Sequence, residues 1–199
     1  MADITAQMVK DLRERTGAGV LDCKQALEAH DGDFDKAALY LREKGKTAAA
    51  KRESREAKEG LIGSDVHAGS KVGAMIELNC ESDFVARTDE FQALAHDLAM
   101  QVVAGKPSYL LPEDVPSEVI EHEKSVYRAQ MNDSGKPENI IDRIVEGKLS
   151  KYYEEACLLE QPLIKDSALT VRELVQQTNA LLGENIVVRR FTRFDVGRE

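Results

Sequence analysis

Between Glu77 and Arg87 the sequence Glu-Leu-Asn-Cys-Glu-Ser-Asp-Phe-Val-Ala-Arg sets a thiol (Cys80), two carboxylates (Glu81, Asp83), a hydroxyl (Ser82) and a bulky aromatic (Phe84) beside one another. A thiol attacks as its thiolate, and the negative charge of Glu81 and Asp83 raises a neighbouring thiol's pKa and suppresses that form. The other cysteines, Cys23 and Cys157, are not paired in sequence with a clear base. Acid–base work by Glu81 and Asp83 competes with the commoner case of acidic loop neighbours that are merely solvated. The remaining chemistry is mechanical: an aromatic beside a carboxylate, held rigidly, can pry at a partner surface. The plain alternative is that Phe84 turns inward and plugs the core.

Regular elements must hold this stretch. Upstream, Ala74, Ile76 and Leu78 alternate with Met75, Glu77 and Asn79, the period of a half-buried strand. Downstream, Phe91, Leu94, Ala95, Leu98, Ala99 and Val102 recur at helical spacing and predict a helix from about Thr88 to Ala104, with Gly105 as its C-cap and Pro107 beyond. Leu61 to His67 and Val72 to Asn79 flank Ala68-Gly69-Ser70-Lys71 as an antiparallel hairpin. Asn185 to Val196 reads as a further strand with apolar residues on both faces, and a subunit interface is one candidate for its second face.

Ahead of these, residues 1–44 read as a three-helix head. Ile4, Met8, Val9 and Leu12 form one stripe, Cys23, Ala26 and Leu27 a second, and Phe34, Ala37, Ala38 and Leu41 a third, with Gly17-Ala18-Gly19 and Asp31-Gly32-Asp33 as turns and Asp33 available as a cap. Residues 45–60 are charged, lack an apolar stripe and read as a linker or frayed helix. Within an α+β core over 61–199, a helical pair spans about 117–160 around Ser134-Gly135-Lys136-Pro137, and Thr170-Val171-Arg172-Glu173 is a capping box. The expected architecture is therefore a helical head followed by a core with a three-stranded antiparallel sheet packed by helices.

With 36 acidic against 27 basic residues the net charge is −9, which disfavours a phosphate-backbone partner and favours a protein one. No direct nucleic-acid binding is expected, and in 44–59 glutamates interrupt the basic run with no aromatic for stacking. No apolar run approaches the roughly 18 residues of a membrane span, and Met1 to Lys10 has neither a signal peptide's core nor a transit pattern, so a cytoplasmic address is expected. Three widely spaced cysteines suit reduced thiols. Metal-spaced cysteine or histidine pairs and a phosphate-cradling glycine pattern are absent, so no metal or cofactor is expected.

Two segments, Leu12-Arg13-Glu14-Arg15-Thr16-Gly17-Ala18-Gly19-Val20-Leu21-Asp22-Cys23-Lys24-Gln25-Ala26-Leu27 and Glu77 to Arg87, resemble the signature motifs of the elongation factor Ts family, the guanine nucleotide exchange factors of bacterial protein biosynthesis. The resemblance extends to Ser134-Gly135-Lys136-Pro137, Val145-Glu146-Gly147 and Arg193-Phe194-Asp195-Val196-Gly197. It implies a non-enzymatic factor with a ubiquitin-associated-like head and a core that grips elongation factor Tu. Carried over residue by residue, it implies partner contacts at Leu12, Arg13, Val20 and Leu21, and a nucleotide-release loop at Ser82, Asp83, Phe84 and Val85. In the family that loop begins with threonine, its aromatic wedges into the partner, and it disturbs the partner's magnesium site to loosen GDP. Serine keeps the hydroxyl and loses a methyl, so little change in the implied mechanism is expected. With one copy of the core, the sequence resembles the short form of the family, which implies a homodimer formed through the sheet.

Overall fold

Thr5 accepts a hydrogen bond from the Met8 amide at 3.3 Å and so starts α1 (Ala6–Thr16), which Gly17 closes in the left-handed region at φ 68°. α2 (Val20–Ala29) and α3 (Phe34–Arg52) follow, with the Asp33 carboxylate accepting from the Asp35 and Lys36 amides at the start of α3. The computed structural model describes residues 4–52, 54–131 and 136–198. After the head come β1 (Glu59–Val66), β2 (Val72–Cys80), α4 (Asp83–Ala86), α5 (Asp89–Gly105), α6 (Ser117–Ala129), α7 (Glu138–Ala156), α8 (Val171–Leu182) and β3 (Val187–Asp195). The three strands form one antiparallel sheet in the order β1-β2-β3.

The chain divides into two compact units. One gathers the residues up to Leu61 with Leu78–Gln92 and Val175–Val188. Its head core consists of Val9, Leu12, Cys23, Ala26, Leu27, Ala37 and Leu41, the residues at which the three helical stripes meet. α3 continues past the head to Arg52, so much of the charged stretch from Lys44 onward is helical. It passes the end of α8 closely: a Cβ on Gly45 would lie 3.3 Å from that of Ala180, and Arg52 donates to the Asn179 carbonyl at 3.4 Å.

The other unit holds Ile62–Glu77, Ala93–Leu174 and Arg189–Glu199. Along β2, Ala74 and Ile76 are buried while Met75 between them is exposed. On β1, Gly63 lies against Ala95 of α5 so closely that a Cβ would sit 2.7 Å from the Ala95 carbonyl oxygen. On β3, Arg193 reaches the Val103 carbonyl of α5. These contacts define the face that α5 covers, and the alternation of side chains puts Ile62, Val66, Met75 and Phe194 on the opposite face, all exposed. Register is fixed there by Val196, whose amide donates to the Lys71 carbonyl at 2.8 Å, and by the Glu77–Arg190 ion pair at 2.7 Å.

A buried amide pair locks the chain behind α5. Gln101 donates to Gln161 at 3.0 Å and accepts from the Ile164 amide at 3.0 Å, while Gln161 donates to the Gly105 and Glu155 carbonyls at 3.0 and 2.8 Å. Buried amides are stable only when satisfied in this way. Gly105 is the last residue of α5, and the left-handed conformation beyond the helix belongs to Lys106 at φ 51°. Glycine is needed at 105 for space, since a Cβ would meet the Gln161 oxygen at 2.2 Å.

α6 and α7 pair, with Arg128 near the end of α6 bonded to Asp142 near the start of α7 at 2.7 Å and Lys148 over the Tyr127 ring at 5.4 Å. α6 ends at Ala129; Ser134 and Gly135 of the expected junction lie outside the described residues. The Thr170 amide donates to Glu173 and the Glu173 amide to the Thr170 hydroxyl, which completes the capping box read from the sequence. Among the described residues no helix is long and apolar enough to cross a membrane.

Candidate functional site

The turn after β2 places Phe84 in solvent with 84% of its surface exposed, the largest exposure among the exposed large hydrophobic side chains. The inward plug of this region is Phe91, wholly buried on α5. α4 explains the difference. Its single turn aims Ala86 inward at 7% exposure, and a residue two positions earlier on a helix faces the opposite way. Val85 is half-buried and Asp83 exposed.

A helix this short has almost no internal bonding of its own. The Ala86 amide reaches the Ser82 carbonyl at 3.4 Å and that of Arg87 reaches Phe84 at 3.3 Å. Support comes from outside. The Thr88 hydroxyl donates to the Val85 carbonyl at 2.8 Å and accepts from the Phe91 amide at 3.3 Å, tying α4 to the start of α5. Cys80 donates to the Ser82 carbonyl at 3.1 Å. Arg87 binds Asp83 through both carboxylate oxygens, at 2.6 and 3.3 Å, which steadies α4 across one turn. Ser82 occupies the N-cap of α4, yet its hydroxyl makes no capping bond and donates instead to Glu184 at 2.5 Å.

Burial works against thiolate formation at Cys80 and Cys157. All three cysteines are free and buried. Burial pushes the Cys80 thiol up to about 11, and the Glu184 carboxylate adds to the effect. The expected direction holds, but neither Glu81 nor Asp83 is the cause. Cys157 is likewise pushed up to about 11 by burial and then by Glu160. Among the described residues no group of three or more histidines, cysteines, aspartates or glutamates is placed to hold a metal ion.

Of the four head residues singled out in the sequence, Arg13, Val20 and Leu21 are exposed, the last two at 56% and 68%. Val20 and Leu21 open α2 directly after Gly19, before the helix turns its Cys23, Ala26 and Leu27 stripe inward. Leu12 differs: it is wholly buried in the head core and has no surface to offer a partner. The apolar spacing of α1 carried that information, because Leu12 continues the stripe begun by Ile4 and Met8. Two features escaped sequence reasoning, the exposed pair Leu39 and Tyr40 on α3 and the carboxylate of Glu184 against Ser82.

A family model described as Elongation factor TS matches residues 23–198. The elongation factor Ts of Desulfitobacterium hafniense is 54% identical over 197 residues, covering 99% of this chain and 91% of that protein. That of Thermodesulfovibrio yellowstonii is 55% identical over 195 residues, covering 98% and 97%. That of Desulfosudis oleivorans is 50% identical over 197 residues, covering 99% and 100%.

Proposed function

Because this chain belongs to the elongation factor Ts family, we propose that it is a guanine nucleotide exchange factor that binds elongation factor Tu and promotes GDP release during translation elongation. It makes and breaks no covalent bond. The release loop is Ser82 to Val85, and the observation that carries this reading is the exposed Phe84 on a turn braced at both ends. The ring wedges into the partner, and the loop disturbs the partner's magnesium site and so loosens GDP.

Exchange demands more than tight binding. A factor that binds every nucleotide state of its partner equally shifts nothing, so part of the binding energy must be realised only when GDP and magnesium are loosened. A buried phenylalanine contributes about 1.5 to 3 kcal/mol, which covers part of the cost of disturbing a magnesium-phosphate site. The rest comes from a wider interface, in which the head, residues 1–44, and the core, residues 61–199, act together. Arg13, Val20 and Leu21 make the head's contacts, and Leu12 holds the helix that presents Arg13.

The factor works as a cytoplasmic homodimer, with a second copy covering the sheet face that α5 leaves open. Ile62, Val66, Met75 and Phe194 supply that face with apolar surface, and its charges Glu77 and Arg190 are already paired within one chain. The test of exchange is release of a fluorescent GDP analogue from elongation factor Tu. The chain accelerates release in proportion to its concentration until the partner is saturated; release at the spontaneous rate under saturation rules exchange out.

A further inference from the structure

We propose that Glu184 is a positioning residue for the release loop: its carboxylate holds the backbone from which Phe84 projects, and so acts on GDP release without touching the partner. The inference rests on the exchange reading above and adds a residue to it. Glu184 follows Gly183, which ends α8 in the left-handed region at φ 75°. One carboxylate oxygen accepts from the Glu81 and Ser82 amides at 3.1 and 3.0 Å, and the other accepts from the Ser82 hydroxyl at 2.5 Å. All three groups are donors. A carboxylate accepts from all three together, whereas an amide has a single accepting oxygen and keeps the two backbone bonds only by turning its N–H₂ to the Ser82 oxygen, which must then accept.

The brace is reciprocal. Glu81 returns a bond to the segment of Glu184 by accepting from the Asn185 amide at 2.6 Å, and Arg55 approaches the same oxygen at 3.5 Å. Asn185 in turn donates to the Arg55 carbonyl at 2.8 Å, and the Ile186 amide donates to Asn179 at 2.5 Å. Two carboxylates thus clasp each other's backbones where β2 ends and β3 is about to begin. The clasp explains why Ser82 stands at the N-cap of α4 without capping it: the hydroxyl is used on Glu184. Charge-assisted bonds to backbone N–H groups are the strong kind, and they hold the two residues directly before Asp83 and Phe84. With that brace the loop meets its partner already ordered, and binding energy is not consumed in ordering it.

The test has two readouts on Glu184→Ala, Glu184→Met, Ser82→Ala and the Glu184→Ala/Ser82→Ala double variant. Hydrogen exchange of the Glu81 and Ser82 amides, measured on the chain alone, becomes about tenfold or more faster in Glu184→Ala while the Ala74 and Ile76 amides of β2 keep their rates. Maximal GDP release at saturating factor falls about tenfold in the same variant. The Ser82→Ala and Glu184→Ala effects on release are non-additive, as expected of partners in one bond. A general loss of fold would speed exchange throughout β2 and add independently, and it would overturn the positioning role. Unchanged Ser82 protection in Glu184→Ala overturns the proposal outright, as does full release activity despite lost protection. If Glu184→Ala does not fold, Glu184→Met is read in the same way, because it keeps the length of the side chain and removes both accepting oxygens. Should the parent chain itself fail to release GDP, the exchange reading falls, and the amide rates alone decide whether Glu184 holds the loop.

Discussion

Phe84→Ala separates an exposed wedge from a core plug, because the two roles put the cost in different places. In the free chain the ring is 84% exposed, so its removal deletes almost no buried area. Surface substitutions of this sort change stability by within about 0.5 kcal/mol, or a melting shift of no more than about 2 °C at this chain length. Alanine is also the better helix former, which offsets any small loss within α4. In the proposed complex the ring is buried, so its loss there is expected to remove about 1.5 to 3 kcal/mol, equivalent to roughly 10- to 150-fold in affinity for the state with loosened nucleotide. Thermal unfolding by circular dichroism gives the first quantity. Stopped-flow release of fluorescent GDP, titrated with the variant, gives the second. A melting point lowered by many degrees would show that Phe84 supports the fold, and release as fast as with the parent would show that it pries at nothing.

Three further outcomes follow from burial and charge. Val20→Ala combined with Leu21→Ala leaves the melting point nearly unchanged while weakening binding to elongation factor Tu, whereas Leu12→Ala, which empties a fully buried site, lowers stability by about 2 to 5 kcal/mol; calorimetric binding alongside melts distinguishes the two. The proposed homodimer predicts that the parent sediments as a dimer and that Phe194→Asp, at an exposed site on the open sheet face, sediments as a monomer without a large melting change; a monomeric parent would refute the dimer, and a dimeric variant would place the interface elsewhere. For Cys80 and Cys157 the native thiols are pushed up to about 11 from the ordinary 9.0. The unfolded chain therefore loses these protons first, and stability declines as pH climbs from 9 towards 11; at pH 8 both thiols react slowly with alkylating reagents until the chain unfolds.

The elements were legible where the physics is local. Gly17 closes α1, Asp33 caps α3, and Thr170 with Glu173 opens α8, all through bonds spanning a few residues. The sheet followed from alternation and a glycine-containing reversal. The function of Gly105 was not legible, because its requirement comes from Gln161, a side chain distant in sequence. Phe84 left two readings open for the same reason: inward and outward placements share one local sequence, and the orientation of α4 decides between them. Leu12 shows the converse, a residue whose spacing placed it inward while resemblance pointed it outward. Glu184 was invisible in the sequence, since a carboxylate after a helix-ending glycine usually faces water, and its partner Ser82 stands 102 residues away.

Binding of the chain to elongation factor Tu, measured by calorimetry with the partner nucleotide-free and again saturated with GDP and magnesium, tests exchange most directly. Linkage requires the factor to weaken GDP binding by the same ratio by which GDP weakens binding of the factor. The expected result is affinity at least about tenfold greater for the nucleotide-free partner, with much of that preference lost in Phe84→Ala. Equal affinity for the two states would mean that the chain shifts no nucleotide equilibrium, and the wedge would have no work to do.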